Sequence, residues 1–344
     1  IVGGVSLKFV VIGLGSMGKR RIRCLKALGY HYIYGYDIRD DRRHEVERDY
    51  SIKTFSDLNE LIEATNPDAF IISVPPDIHH EFIRLAIKQN RHFFVEASVL
   101  DMGMEEFMKD CSQRSIIAAP SATLLYHPAI GMIKDILDKE ELGVLSNIIV
   151  HSGQFLPDWH KYEPVSDFYV SNPATGGARE IVPFELGWIT HILGFPHRVC
   201  GNYRKTIDIP GAEKIEDTYN CLLDYGNFLG VLTVDVVSRY ATRRLVINGD
   251  KKQLIWDWNY NAIQLFNPIE EKWEERSYKM DSAANGYNAN IGENMYIEEI
   301  RNFIDAINRK RDFVNNLEKD YRVLQLLYAI EESDKTSQYV RIRS

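Results

Sequence analysis

Three glycines near the start of the chain have the spacing that dinucleotide-binding turns require. Gly13, Gly15 and Gly18 form a G-x-G-x-x-G pattern that follows an apolar stretch and opens an amphipathic one. Between a strand and a helix, the first glycine permits the tight turn, the second lets the backbone approach a pyrophosphate, and the third allows close helix packing. Because the positive end of the helix then faces the phosphates, we expect Ser16 and Met17 to take part in the same site.

An acidic residue follows at the distance at which such folds hold the adenosine ribose. Asp37 ends the second predicted strand, about 20 residues beyond the glycines, and its carboxylate would accept hydrogen bonds from the ribose hydroxyls. This favours NAD, with Ile38 and Arg39 beside the ribose. NADP is the alternative cofactor, because the basic residues Arg39, Arg42 and Arg43 could hold its 2′-phosphate.

A second group of residues, beyond position 120, has the composition of a carbohydrate site. Sugars present apolar C–H faces and hydroxyl rims, which suit aromatic side chains next to acids and amides. The predicted substrate-binding residues are Tyr126, His127, Gln154, Asp158, Trp159, Tyr169, Arg179 and Trp188. The alternative for the aromatic residues is burial in the core, and for His127, which precedes Pro128, it is a capping or turn role.

The elements that must position these residues are of two kinds. Up to about Ala119, short apolar runs alternate with helix-length amphipathic stretches, which predicts a doubly wound parallel sheet. The predicted strands are Leu7 to Ile12, Tyr32 to Tyr36, Ala69 to Val74, His92 to Val95 and Ser115 to Ala118. The predicted helices between them include Met17 to Leu28 and Ile78 to Lys88.

Beyond about residue 145, longer stretches of β-branched and aromatic residues predict a mainly antiparallel sheet. Its predicted strands include Asn147 to Phe155, Thr218 to Asp224 and Phe228 to Ser238, with turns at Asp224 to Asn227 and at Asn248 to Asp250. Two helices with apolar residues at helical spacing close the chain. We therefore predict an α/β Rossmann domain at 1–122 and an α+β domain at 123–344, whose C-terminal helices pack back towards the first domain.

Composition excludes several classes of partner. The net charge of −8 is spread along the chain without a basic stripe, which excludes a nucleic-acid binder. No apolar run approaches the roughly 20 residues of a membrane span. The four cysteines are widely spaced, which predicts no disulfide framework and favours the reducing cytoplasm. Because histidines, cysteines and acids do not cluster at ligand spacing, we predict no catalytic metal.

Two further segments, taken with the glycine turn, resemble the family of glucose-fructose oxidoreductase, inositol dehydrogenase and MocA (Gfo/Idh/MocA). They are Ser73-Val74-Pro75-Pro76-Asp77-Ile78-His79-His80 and Phe94-Val95-Glu96-Ala97-Ser98. The resemblance implies NAD(P)-linked oxidation or reduction of a sugar, cyclitol or sugar-nucleotide hydroxyl, and an open-faced sheet that often builds homodimers or homotetramers. It also implies cofactor contacts from Ser73, Val74, Pro75, Pro76, His79, Glu96 and Ala97.

The sequence departs from the family pattern at its catalytic positions. The family normally has Glu-Lys-Pro, in which the lysine polarises the reacting hydroxyl or relays its proton. Here the segment is Glu96-Ala97-Ser98, and an alanine methyl can do neither. The family's later aspartate, histidine and acid correspond to Glu180, Phe184 and Gly187, so only the first position keeps an acid.

Hydride transfer from an alcohol needs a group that takes the hydroxyl proton. Glu180 is our first candidate, because burial beside an apolar pocket would raise its pKa towards neutrality. Glu185 and His191 are the further candidates. The alternatives are a salt bridge for Glu180 and a packing role for His191. Two functions remain open: a dehydrogenase with an altered proton relay, or a catalytically silent sensor or scaffold that binds NAD and a sugar.

Overall fold

The computed structural model describes residues 7–159, 164–167, 169–283 and 291–342. The chain divides into two compact units: Ile1–Thr123 with Glu293–Tyr321, and Leu124–Gly292 with Arg322–Ser344. Our sequence prediction placed 123–344 in the second domain and expected its C-terminal helices to pack back towards the first domain. Residues 293–321 cluster with the first unit because Glu299 in this segment binds a buried arginine there.

Strands and helices follow the chain in this order. The strands are β1 Phe9–Ile12, β2 Ile33–Tyr36, β3 Lys53–Phe55, β4 Ala69–Ile72, β5 His92–Val95, β6 Ala118–Pro120, β7 Leu145–Gly153, β8 Arg198–Arg204, β9 Thr218–Asp224, β10 Leu229–Asp235, β11 Thr242–Gly249, β12 Gln253–Asp257, β13 Ala262–Asn267, β14 Lys272–Ser277 and β15 Val340–Arg341. The helices are α1 Ser16–Ala27, α2 Asp40–Tyr50, α3 Leu58–Thr65, α4 His79–Lys88, α5 Met104–Arg114, α6 Pro128–Asp138, α7 Ala178–Leu193, α8 Glu293–Ile307 and α9 Leu317–Thr336. Within the described ranges, none of these helices has the length and apolar character that crossing a membrane requires.

The first unit contains a fully parallel sheet in the order β3-β2-β1-β4-β5-β6. This confirms the predicted doubly wound arrangement. Every residue of β1 and β4 is buried, as expected for strands covered by helices on both faces. Since β2 and β3 lie on one side of β1 and β4 on the other, the strand order reverses between β1 and β4. Folds of this type bind their ligands at that switch point.

Two differences from the sequence prediction in this sheet are larger than a shift of a strand end by one or two residues. The last strand begins at Ala118 instead of Ser115, because Ser115 has a φ of 53° and ends α5 in the left-handed conformation. The strand β3 was not predicted, because it has only three residues and a single buried side chain, Phe55. Such a short strand leaves no alternation that a sequence pattern could show.

A fully buried arginine connects α1, the loop after β5, and α8. Arg21 donates to Glu299 from Nη1 at 2.9 Å, and to Glu96 from Nε at 2.8 Å and from Nη2 at 2.7 Å. Glu299, which is also fully buried, accepts hydrogen bonds from the hydroxyls of Ser121 and Thr123. Buried charges are tolerated when they are paired and hydrogen-bonded, and these partners provide for both.

The second unit contains a sheet in the order β14-β13-β12-β11-β7-β10-β9-β8-β15. All neighbouring strands are antiparallel except β7 and β10, which are parallel. This confirms the predicted mainly antiparallel sheet. The two predicted turns are also found, since 225–228 joins β9 to β10 and 250–252 joins β11 to β12. Buried residues of α6, α7 and 322–336 pack with the inward side chains of the sheet in one core.

The outward side chains of this sheet include an apolar row one residue wide. Strand register places five residues side by side on neighbouring strands: Leu222, Val231, Ile149, Val246 and Ile255. Of these, Ile149 is 49% and Leu222 is 45% exposed. Beside the row runs a ladder of amides, in which Asn248 donates to Asn147 and Gln253 donates to Asn248. We name these five apolar residues the apolar row.

Candidate active site

The glycine turn lies at the carboxyl end of β1, beside the switch point. Gly13 has a φ of +89°, and a Cβ built there would lie 2.5 Å from the carbonyl oxygen of Ser73. A Cβ at Gly18 would lie 1.9 Å from the carbonyl oxygen of Gly13. Both positions therefore exclude a side chain, because the turn packs directly against α1 and against the residue that follows β4.

Gly15 is a glycine for a different reason. Beyond its chain neighbours, a Cβ at this position would meet, among the described residues, only the guanidinium of Arg42, at 3.6 Å. Packing of the protein therefore does not demand a glycine here. Gly15 is also the N-cap residue of α1, and it brings no side chain to the amides at the start of the helix. An open approach and such a helix start are what a pyrophosphate needs.

Asp37 is buried at the end of β2 and is fixed beside the glycine turn. Its Oδ2 accepts a hydrogen bond from the amide of Leu14 at 2.8 Å, and its Oδ1 accepts one from the amide of Arg39 at 2.9 Å. A carboxylate has about four lone-pair positions, so two remain for ribose hydroxyls. The geometry supports the predicted ribose-binding role.

The three arginines near Asp37 differ in their surroundings. Arg39 donates from Nε to Asp41 at 3.0 Å, and Arg43 donates from Nη1 to the carbonyl oxygen of Asp37 at 2.6 Å. Arg42 lies with Nη1 3.7 Å from Oδ2 of Asp37, over the open side of the glycine turn. Arg42 is therefore the arginine best placed to meet a cofactor phosphate.

His79 joins the loops that follow β4 and β5. Its Nε2 lies 2.8 Å from the carbonyl oxygen of Val74, and its Nδ1 lies 2.8 Å from Oγ of Ser98. Burial lowers the pKa of His79 to about 4, so the ring is neutral at physiological pH. Because a carbonyl oxygen only accepts, Nε2 carries the hydrogen and Nδ1 accepts from the serine hydroxyl. Both ring nitrogens bind within the protein, so the predicted cofactor contact by His79 cannot be a hydrogen bond from its ring.

Glu96 and Ala97 lie in the loop after β5. In addition to the bonds from Arg21, Glu96 accepts a hydrogen bond from Oγ of Ser73 at 3.1 Å. Ala97 is half-buried between Glu96 and Ser98, and both of these neighbours are anchored. The backbone at position 97 is thus held in place although its side chain carries no proton.

Glu180, the first candidate for the proton-handling group, lies in the first turn of α7. Its Oε1 accepts a hydrogen bond from the hydroxyl of Tyr169. Its Oε2 is buried without a hydrogen-bond partner among the residues that the structure describes. Burial raises the pKa of Glu180 to about 7, and the hydrogen bond from Tyr169 acts in the opposite direction. The adjacent Arg179, which the alternative of a salt bridge to a nearby arginine already excepted, pairs with Glu331 at 2.6 Å.

Four half-buried residues follow one face of α7. Glu180, Phe184, Gly187 and His191 are spaced four, three and four residues apart, which is the spacing of one helix face. A Cβ at Gly187 would meet none of the described atoms within 4 Å, so this face has an open gap. We name these four residues the α7 stripe. Three of its members, Glu180, Phe184 and Gly187, stand at the positions where the family has its aspartate, histidine and second acid.

Glu185 points away from the α7 stripe. It is fully buried and accepts hydrogen bonds from Oγ of Ser152 at 2.9 Å, from Nε1 of Trp188 at 2.6 Å and from Nη2 of Arg243 at 2.6 Å. This carboxylate accepts hydrogen bonds from three donors in the protein interior, one of them a charged guanidinium, so it does not face a substrate. The predicted catalytic role of Glu185 is therefore corrected to that of an ion pair that holds α7 to the sheet.

Three predicted substrate-binding residues also have structural roles. Trp188 is buried in the core. His127 is the N-cap of α6, where its Nδ1 accepts from the amide of Ala129 at 3.1 Å, and burial lowers its pKa to about 3. Arg179 is held by its ion pair with Glu331. Core packing and capping, which the sequence left open as alternatives, describe Trp188 and His127.

The remaining predicted residues are placed as follows. Tyr126, Gln154, Trp159, Tyr169 and His191 are half-buried, Asp158 is exposed, Ser16 and Met17 are half-buried, Ile38 and Pro75 are exposed, and Pro76 is buried. Nε1 of Trp159 is buried and has no hydrogen-bond partner in the described part of the chain. Because a buried indole N–H normally finds an acceptor, Trp159 is the aromatic residue that best keeps its predicted role.

Sequence reasoning missed Arg21, Ser98 and Arg243. The two arginines bind Glu299 and Glu185, which are 278 and 58 residues away along the chain, and no local pattern reveals such pairs. Ser98 did leave a signal, because it stands where the family has the proline of Glu-Lys-Pro. A serine hydroxyl can donate to a neighbouring histidine, whereas proline has no donor at all.

Comparison with known proteins gives matches over both sheets. A family model described as an oxidoreductase family with an NAD-binding Rossmann fold, GFO_IDH_MocA, matches residues 7–100, and the C-terminal domain model of the same family matches 130–255. Myo-inositol 2-dehydrogenase from Thermotoga maritima is 32% identical over 92 residues, which are 26% of this chain and 28% of that enzyme. Matches to curated relatives cover 28% to 50% of their length.

Solved structures are similar over almost the entire chain. Levoglucosan dehydrogenase, in a complex with NADH and levoglucosan, superposes with a TM-score of 0.83 at 15% identity over 98% of this chain and 100% of that one. An oxidoreductase from Agrobacterium radiobacter, in a complex with NAD+, L-tartaric acid and magnesium, has the same TM-score and identity over 98% of this chain and 99% of that one. At such identities the structures establish a shared fold. Since the two family models together span more than half of the residues, the chain belongs to the Gfo/Idh/MocA family of oxidoreductases and carries that family's NAD-binding Rossmann domain.

Proposed function

We propose that this protein is an NAD-dependent dehydrogenase or reductase that acts on a hydroxyl or keto carbon of a sugar, cyclitol or sugar nucleotide. Family membership supports the use of a nicotinamide cofactor. The similar proteins include a myo-inositol 2-dehydrogenase and a levoglucosan dehydrogenase, which favours a polyhydroxylated substrate. The observation that carries the proposed chemistry is the buried carboxyl of Glu180, whose Oε2 has no partner among the described residues.

The residues of the first unit fit a nicotinamide dinucleotide. Gly15 leaves room for a pyrophosphate, which the amides at the start of α1 would bind, and the fixed carboxylate of Asp37 would hold the adenosine ribose. When bound, the dinucleotide accepts a hydride from the substrate carbon or supplies one to it. We propose NAD as the preferred form, because the negative charge of Asp37 disfavours a 2′-phosphate. Arg42 is the residue that would hold the phosphate of the alternative, NADP.

Glu180 takes over the proton-handling role that the missing lysine has elsewhere in the family. In the oxidative direction the substrate O–H bond breaks, its proton moves to Oε2 of Glu180, and the hydride leaves the carbon that bears the oxygen. In the reductive direction Oε2 returns the proton to the carbonyl oxygen. A pKa of about 7 suits both directions, because the acid and the base are then both populated near neutral pH.

The test is the pH dependence of turnover with a panel of polyols and keto-sugars. Oxidation needs the carboxylate, so its rate should rise with pH with a midpoint near 7. Reduction needs the protonated acid, so its rate should fall over the same range. Glu180→Gln should lower both rates by about 10²- to 10⁴-fold and leave NADH binding unchanged. A Glu180→Gln variant with wild-type rates would show that another group handles the proton.

The second candidate function is a catalytically silent sensor or scaffold that binds NAD and a sugar. It is favoured by Ala97, Phe184 and Gly187, because none of these side chains can carry a proton. Absorbance of bound NADH in a single-turnover experiment separates the two functions. Consumption of NADH by any keto-sugar supports the enzyme, whereas tight sugar binding without consumption supports the sensor.

Assembly and location belong to the same proposal. The apolar row favours a homodimer or homotetramer through the second-unit sheet, since a twofold axis would bring the same row of each copy face to face. The four cysteines are free thiols, which is typical of a reducing compartment such as the cytoplasm. We propose no catalytic metal and no nucleic-acid partner.

A further inference from the structure

Tyr169 contacts the carboxyl group of Glu180. Its hydroxyl donates a hydrogen bond to Oε1 of Glu180, so one oxygen of the carboxyl is fixed by the protein. The other oxygen, Oε2, is buried and lacks a hydrogen-bond partner in the described ranges. The two oxygens of one carboxyl group are therefore in different situations: one is restrained and the other is available.

We propose that Tyr169 is a positioning residue, which fixes Oε1 of Glu180 so that Oε2 alone exchanges the proton with the substrate hydroxyl. This inference rests on the proposed function. The hydrogen bond defines the plane of the carboxyl, and a defined plane aims the remaining lone pairs at one place. In oxidation the substrate proton forms its new bond to Oε2, and the hydride goes to the nicotinamide dinucleotide of the proposed function. Tyr169 keeps its own proton throughout.

The same contact has an electrostatic consequence. A hydroxyl that donates to a carboxylate stabilises the charged form, so Tyr169 lowers the pKa of Glu180 against the opposing and larger effect of burial. Removal of the hydroxyl should leave burial unopposed and raise the pKa further. If Tyr169 only packed against its neighbours, removal of its hydroxyl would leave the pKa of Glu180 unchanged.

Several described ionisable groups of α7 and of the elements packed against it bind elsewhere, and His191 lies on the α7 stripe eleven residues from Glu180. On α7 itself, Arg179 pairs with Glu331 and Glu185 pairs with Arg243. The helix packs against α6, β9 and β10. Buried titratable residues of these elements include the thiol of Cys221 in β9, His127, which caps α6, Tyr219, which donates to Glu331, and Asp235, which binds His151. Within the described ranges, burial and the hydrogen bond from Tyr169 are the two effects that shift the pKa of Glu180.

The test compares the wild type with Tyr169→Phe by carbon-13 NMR of protein labelled at the glutamate carboxyl carbons. The signal of Glu180 is assigned by its disappearance in Glu180→Gln. We expect its titration midpoint to rise by about one pH unit or more in Tyr169→Phe, because a hydrogen bond to a charged group contributes about that much. Tyr203→Phe, which removes a hydroxyl from a half-buried tyrosine of β8, should leave the midpoint unchanged. An unchanged or lower midpoint in Tyr169→Phe overturns the inference.

A second measurement does not depend on the phenylalanine variant. In protein labelled at the tyrosine ζ carbon, the signal of Tyr169 should follow the titration of Glu180 in the wild type and lose that pH dependence in Glu180→Gln. A pH-independent signal in the wild type overturns the inference.

Turnover then separates the inference from the proposed function. If substrates are turned over, Tyr169→Phe should displace the pH profile by the same amount as the NMR midpoint and lower kcat by about tenfold at high pH, where Glu180 is deprotonated in both proteins. An undisplaced profile overturns the positioning role and leaves the dehydrogenase intact. If no substrate is turned over while the NMR midpoint still shifts, the proposed function fails and the contact stands.

Discussion

The hydroxyl of Ser98 donates a hydrogen bond to Nδ1 of His79 across 2.8 Å. Through Nε2 the same ring reaches the carbonyl oxygen of Val74. The preceding residue, Ser73, packs so closely on Gly13 that a Cβ there would be 2.5 Å from its carbonyl oxygen. Ser98 is therefore linked to the glycine turn by two hydrogen bonds and one backbone contact.

Ser98→Ala should weaken this link. The buried Nδ1 of His79 would lose its donor, and an unsatisfied buried acceptor costs about 1–3 kcal/mol in free energy of unfolding. We also expect NADH affinity to fall several-fold, because the loop beside the glycine turn is less well held. Urea denaturation and NADH fluorescence titration measure the two effects. Ser112→Ala, at an exposed position of α5, is the matched control, and equal behaviour of the two variants would contradict the link.

Arg42 is expected to govern the acceptance of NADP. Its guanidinium lies 3.7 Å from Oδ2 of Asp37 and 3.6 Å from the Cβ position of Gly15. Arg42→Ala should weaken NADPH binding by about tenfold, since one charged contact to a phosphate is lost, and should change NADH binding much less. Calorimetric titration with both dinucleotides gives the ratio. Arg48→Ala, an exposed change on the same helix, serves as the control, and an unaltered ratio in Arg42→Ala would rule out the role.

The gap at Gly187 is expected to receive substrate. Because a Cβ there would meet none of the described atoms within 4 Å, Gly187→Ala should fold and be more stable by about 0.5–1 kcal/mol, as helical alanine usually is relative to glycine. Gly187→Leu should also fold but should raise KM for the sugar at least tenfold by filling the gap. Thermal unfolding and steady-state kinetics report both results. An unchanged KM in Gly187→Leu would place the substrate elsewhere.

Substitution of the two glutamates of α7 should have opposite effects on stability. Glu185→Gln leaves Arg243 as a buried charge without its carboxylate, which should cost about 3–5 kcal/mol. Glu180→Gln removes a carboxyl whose folded pKa, about 7, exceeds its ordinary value of 4.5. The stability that such a group contributes to the fold is lost as pH rises from its unfolded-state pKa to its folded-state pKa. Relative to the wild type, Glu180→Gln should therefore gain stability between about pH 5 and pH 8, as urea denaturation at both pH values would show.

The apolar row is expected to be the contact between copies of the chain. Ile149→Lys places a charge at its centre, on a residue that is 49% exposed, so the fold should persist and the oligomer should dissociate. Sedimentation velocity measures the mass in solution, and circular dichroism checks the fold. Ile269→Lys, at an apolar residue that is 93% exposed outside the row, is the control. An Ile149→Lys variant that sediments like the wild type would place the interface elsewhere.

Local sequence patterns predicted much of the fold. The glycine turn, the parallel strands and the two hairpin turns depend on residues close together in the chain, and the structure has them. The choice between Glu180 and Glu185 could not be made in the same way. Five helical residues turn the chain by about 140° beyond a full circle, so one glutamate had to face inward. Which one did so was decided by Arg243, a residue of a distant strand.

The parallel pairing of β7 with β10 has a consequence for how such a protein diversifies. Parallel neighbours need a long crossover, and here the chain from 154 to 228 makes it, passing through Trp159, Tyr169 and α7 before it returns. The strands that it leaves and rejoins are fixed by their register, and so are β8 and β9 within it, whereas α7 lies outside the sheet and is anchored to it by Glu185. New substrate preferences could therefore arise by changes at Trp159, at Tyr169 and in α7, while the strands of the sheet are kept.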